Sequence, residues 1–125
     1  MVNNMKRFIL ITSLTFLTLQ VFAQDLPGRH QLKQNDEGEY YVVNKDDITM
    51  IEASILKMGF SAKWILACIK HVSVDTDLKR WVFVDVKTGG TFDTLHQENW
   101  TYFRDEAYPS LKEITLKTYS DESCP

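Results

Sequence analysis

The hydrophobic pattern changes its period several times along the chain. Phe8 to Leu19 is a mainly apolar run, interrupted by Thr12, Ser13, Thr15 and Thr18, behind Lys6 and Arg7, and Gln24 to Glu39 is polar with no period at all. Tyr40–Tyr41–Val42–Val43 is short, aromatic and β-branched, the composition of a strand. Ile48, Ile51, Ile55 and Met58 then recur at helical spacing, behind Asn44 as a cap and Asp46 and Asp47 in a first turn; Lys57 and Gly59 suit its end. This pattern predicts a helix over about residues 46–58. Trp64 to Val72 is continuous and apolar, which fits a buried strand, although Ser61 could also cap a second helix there.

From Arg80 to Lys87 the period is two. Trp81, Phe83 and Asp85 fall on one face and Val82, Val84 and Val86 on the other. Both faces are apolar at one end, so the strand is expected to be central, covered on each side by a helix, a second layer or a twin subunit. Gly89–Gly90 marks a turn. Trp100–Thr101–Tyr102–Phe103 reads as a short strand, Arg104–Asp105–Glu106 as a charged loop, and Ile114 to Tyr119 as a half-exposed strand. The pattern predicts an α+β fold with one or two helices packed on a mainly antiparallel sheet of four or five strands.

A basic start, a short apolar core and Val21–Phe22–Ala23 before polar Gln24 have the form of a secretory signal peptide. The expected organisation is a signal peptide over 1–23, a flexible leader over 24–39 and one globular domain over 40–125. The product is expected in a periplasm or outside the cell after cleavage near Ala23. Gln24 is not the Cys that a lipid anchor would need at that point, and the apolar run is short for a membrane span, so no stable membrane anchor is expected.

Without Lys6 and Arg7, twelve basic side chains face seventeen acidic ones, a net charge of −5. Nucleic acid and anionic membrane surfaces are therefore poor partners. The two cysteines, Cys68 and Cys124, are expected to pair as a disulfide in an oxidising compartment. Cys68 lies inside an apolar run, which argues against a reactive thiolate working with His71. There is no G-x-S-x-G elbow, Gly-rich phosphate loop, H-E-x-x-H or C-x-x-C. His30, His71 and His96 lack neighbours at metal-ligand spacing. No catalytic residue, metal or cofactor is expected, and the chain reads as a non-enzyme.

What remains is a group of charged and aromatic residues: Asp93, Glu98, Trp100, Tyr102, Arg104, Asp105 and Glu106. Paired acids can serve glycosidase chemistry only when they face each other across a cleft. Aromatic residues beside charges are also the usual material of a protein-recognition surface. These seven are the candidate partner-binding residues, and core packing is the competing role for the aromatic ones.

The layout of a cleavable signal, about a hundred mature residues, an acidic balance and the pair Cys68 and Cys124 resembles small periplasmic immunity proteins, which neutralise cell-wall-degrading effectors delivered by type VI secretion. The resemblance implies a tight complex with a cognate protein, a secreted peptidoglycan hydrolase whose cleft is blocked, with a homodimer as one arrangement. The alternatives are a small exported enzyme or ligand-binding protein, and an accessory subunit of an envelope complex.

Overall fold

The computed structural model describes residues 23–73, 76–94 and 96–125 of the 125-residue chain. The expected signal peptide, up to residue 22, lies outside the described residues. The described part contains nine strands: β1 (Ala23–Leu26), β2 (His30–Gln34), β3 (Tyr40–Val43), β4 (Thr49–Ile51), β5 (Ile55–Phe60), β6 (Trp64–Ser73), β7 (Thr76–Asp85), β8 (Thr91–Thr94) and β9 (Lys117–Thr118). One helical segment follows β8. It starts as α1 (Gln97–Tyr102), widens into a π-helical turn at Phe103–Ala107 and ends in a 3-10 turn at Pro109–Glu113.

The strands form two antiparallel sheets. A four-stranded meander runs β1-β2-β3-β4, and a five-stranded sheet has the order β8-β7-β6-β5-β9. The fold class is α+β as the sequence predicts, with a second sheet added. The reason for two sheets lies in the alternation along β6 and β7. Ile65, Ala67 and Ile69 of β6 and Val82 and Val84 of β7 face the four-stranded sheet, where they pack with Leu26, Leu32, Val42 and Ile51. Trp64, Leu66, Cys68, Trp81 and Phe83 face the other way and are covered by Trp100, Leu111 and Ile114. The five-stranded sheet is thus buried on both faces, which is why its central strands are apolar at consecutive positions. The helical segment covers the aromatic face and the second sheet covers the aliphatic one.

Two elements differ from the expectation by type. The segment 46–58 is not a helix; it is β4, a turn and β5. Asn44 caps no helix. Its Oδ1 accepts the backbone N–H groups of Asp46 and Ile48 at 2.9 and 3.0 Å, closing the β3–β4 turn, and Asp47 takes a positive φ of 62°. Ile51, Ile55 and Met58 are indeed core residues, but they reach the core from two short strands. Ile48, the fourth member of the supposed helical stripe, is exposed. Conversely, Trp100–Phe103 is helical rather than a strand, and Arg104–Glu106 continues it as the π-helical turn instead of a charged loop.

The segment 24–39, expected as a flexible leader, carries β1 and β2. They pair as a hairpin with Leu26 opposite His30 and Gln24 opposite Leu32. Pro27–Gly28–Arg29 makes the turn, with Gly28 at φ 70° and Arg29 at φ 61°. At the other end of the chain only Lys117–Thr118 forms ladder bonds, against Met58 and Lys57 of β5, although Ile114 is buried as the alternation requires.

Cys68 and Cys124 form a disulfide with Cα atoms 6.2 Å apart and a sequence separation of 56. It fixes the final segment over the aromatic face, where the Trp81 indole N–H donates to the Pro125 carbonyl at 2.9 Å. Closing a loop of this size stabilises the fold by about 4 kcal/mol in the chain-entropy account. Paired replacement of both cysteines by alanine should remove that amount, and an unfolding curve that coincides with the parent's would contradict it. Gly59 gives a second test. A Cβ there would run into the Thr115 carbonyl oxygen and the Ile114 side chain. Gly59→Ala should cost roughly 1–3 kcal/mol in urea unfolding by forcing β9 away from β5.

Candidate functional site

The seven candidate partner-binding residues divide into four groups. Trp100 is a core residue. Its indole stacks on Trp81 with ring centroids 4.8 Å apart and planes 18° from parallel, and only 4% of it is exposed. Asp93 belongs to β8 and pairs with Arg80 of β7 at 2.8 Å, so it joins neighbouring strands. Glu98, Tyr102, Asp105 and Glu106 come together. With Gln97 and Thr101 they line one groove of about 430 Å³ along the helical segment. Arg104 lies on the same segment, with its guanidinium 5.8 Å from the centre of the Trp100 ring.

The helical segment forms because its apolar side chains, Trp100, Phe103 and Tyr108, have an aromatic floor to cover. Phe83 and Phe92 stack 4.8 Å apart, and Phe103 and Tyr108 meet them edge-on or tilted. Trp64 lies 4.9 Å from Tyr108, and its indole N–H donates to Ser110 Oγ at 3.0 Å. The π-helical turn ends with the Tyr108 N–H bonded to the Phe103 carbonyl at 2.8 Å. That wider turn brings the Phe103 and Tyr108 rings nearly parallel, 5.9 Å apart. Glu98, Tyr102 and Glu106 follow one another at four-residue intervals on the opposite, solvent side, where Tyr102 is 53% exposed.

The charges on this face are unequal. Asp105 is held in place: Arg104 donates to its two oxygens at 2.8 and 3.1 Å, and Lys112 lies 3.2 Å from the first of them. The Arg104 hydrogen bonds, then the one from Lys112, lower its carboxyl to about 2. Glu98 and Glu106 make no ion pair among the described residues. The groove therefore presents two uncompensated carboxylates around a half-exposed phenol ring. The arrangement suits contact with a basic surface. It offers no nucleophile beside a base, and no grouping of three His, Cys, Asp or Glu able to hold a metal occurs among the described residues.

Two adjoining concavities lie on another part of the molecule, and no sequence pattern points to them. They share Arg29, His30, Asn44 and Lys45, contributed by the β1–β2 hairpin and the β3–β4 turn. No local motif marks them, because three separate turns supply their walls. His96 is exposed, while His30, expected in a leader, is buried.

No family model, curated protein or solved structure matches this chain.

The depressed Asp105 carboxyl has a pH consequence with a definite sign. Its folded-state value lies below that of an unfolded carboxylate, so its contribution to stability is complete above about pH 4 and drains away as pH falls towards 2. A carboxyl-carbon NMR titration should place its midpoint near 2 in the parent and return it towards about 3.9 in Arg104→Met. A parent midpoint at the ordinary carboxylate value would show that the Arg104 fork does not persist in solution.

Proposed function

We propose that this chain is an exported protein that binds and inhibits a partner protein, presenting the face of Glu98, Tyr102, Asp105 and Glu106 to it. The observation that carries this reading is that groove: an exposed aromatic ring beside Glu98 and Glu106, two carboxylates that make no ion pair among the described residues. Charges of this kind speed association with a basic partner more than they add affinity, and the central aromatic residue supplies the contact energy. Beneath them, the interlocked rings hold the segment in place, which limits the ordering cost on binding.

A disulfide is compatible with an oxidising compartment, and the form of residues 1–23 agrees with export. No helix among the described residues is long and apolar enough to cross a membrane. Within this reading the partner is a secreted cell-wall hydrolase whose cleft is blocked, the role of a periplasmic immunity protein. A homodimer through the same face is the second assembly to test.

Copurification from the envelope fraction of the native host, with mass spectrometry of the bound material, identifies the partner. Glu98→Lys with Glu106→Lys should then slow association with it, with little change in thermal stability. Tyr102→Ala should weaken the complex by about 2 kcal/mol. A protein that recovers no partner and instead turns over a substrate would refute the inhibitor reading. A complex indifferent to all three substitutions would show that another face makes the contact.

A further inference from the structure

The two concavities beside His30 have a charge pattern unlike the rest of this acidic chain. The smaller one, about 480 Å³, is walled by Arg29, His30, Lys45 and Lys87 with Asn44, Met50 and Val86, and no carboxylate lines it. Arg29, Lys45 and Lys87 form no ion pair among the described residues. The larger, about 700 Å³, adds Lys33, Asp25 and Asp47, but its acids are engaged. Asp47 pairs with Lys33 at 2.7 Å, and Asp25 accepts the Gln31 amide at 3.1 Å. A chain with a net charge of −3 thus gathers three unneutralised cations around one imidazole.

The turns are built to bring them together. Gly28 lies so close to Val86 that a Cβ would sit 2.8 Å from its Cγ1 and 3.0 Å from its carbonyl oxygen. This contact brings the Arg29 turn of one sheet against the Val86–Lys87 turn of the other. Arg29 itself holds a left-handed φ of 61°, which an L residue adopts at a cost. His30 is 4% exposed. Its Nδ1 lies 3.0 Å from the Pro27 carbonyl, which can only accept, so Nδ1 carries a proton. Its Nε2 is buried with no partner. A buried polar atom without a partner is uncommon, and here it belongs to a residue that lines the cationic cleft.

We propose that this cleft is a binding site for a small soluble oxyanion, a molecule bearing a carboxylate or phosphate group. Arg29 offers a planar fork of donors and Lys45 and Lys87 offer point charges. His30 has its Nδ1 hydrogen committed to Pro27, so Nε2 is the ring atom left to meet a ligand. The volume suits a metabolite-sized ligand. The site shares no residue with the acidic groove, so either can exist without the other.

The test is an amide NMR titration of the intact exported chain with inorganic phosphate and, separately, with citrate, against sodium chloride at matched ionic strength. Saturable shifts at Arg29, His30, Lys45 and Lys87 are expected with at least one probe. The probe that saturates first tells phosphate from carboxylate recognition. Lys45→Gln combined with Lys87→Gln, both exposed and outside the core, should weaken binding by about tenfold or more with the remaining spectrum unchanged. His30→Gln is the second variant and should weaken binding without removing any lysine. Shifts no larger than those from chloride, or an affinity that the double lysine variant leaves intact, would overturn the proposal.

Discussion

The β6–β7 hairpin has apolar side chains on both of its faces, and neither face can be left in water. Ile65, Ala67, Ile69, Val82 and Val84 require an aliphatic cover, and Trp64, Leu66, Trp81 and Phe83 require an aromatic one. Everything else in the fold answers one of these two demands. The four-stranded meander supplies Leu26, Leu32, Val42 and Ile51 to the first. The helical segment and the chain after it supply Trp100, Leu111 and Ile114 to the second. A domain of this size can afford only one such plate, and the disulfide adds a covalent tie across the aromatic side by linking β6 to the final residues.

This division also separates the two candidate surfaces. The acidic groove belongs to the outer side of the helical layer, whose inner side is fixed by ring-on-ring packing, so its carboxylates project from a rigid base. The basic cleft belongs to the turns that join strands within each sheet, and it exists because the Gly28 and Val86 turns pack directly on one another. The two surfaces have opposite charge and no common residue. The acidic one fits macromolecular recognition, and the basic one fits a small anion.

Part of the central plate was legible in the sequence: Arg80 to Lys87 shows a clear period of two, while Trp64 to Val72 fitted either a buried strand or a helix. Trp81, Val82, Phe83 and Val84 alternate between aromatic and aliphatic, and that alternation maps directly onto the two cores. The Cys68–Cys124 pairing followed from there being only two cysteines. The segment 46–58 misled because two strands of three and six residues, separated by a turn, happen to place isoleucines at helical intervals. Its β-branched content was the better signal. The segment 24–39 misled for the opposite reason: Leu26 and Leu32 are too few to show a period, yet each is buried through its partner strand. The aromatic composition of Trp100–Phe103 suggests a strand, whereas the three-residue spacing of Trp100 and Phe103, with the Tyr108 ring, defines the buried face of a helical segment. Of the candidate residues, the four that share a groove lie on one face of that segment, a relation visible only once it is helical. The basic cleft was beyond reach, since its parts meet only through the contact between the two sheets.

The central claim is that the doubly covered hairpin is the last element to open. Native-state hydrogen exchange of the protein tests it directly. The account predicts that the amides of Leu66–Ile69 and Val82–Val84 exchange only through global unfolding, while those of β1 and α1 open at lower free energy. Exchange of β6 and β7 amides at the rate of the outer layers, with the meander protected on its own, would contradict it.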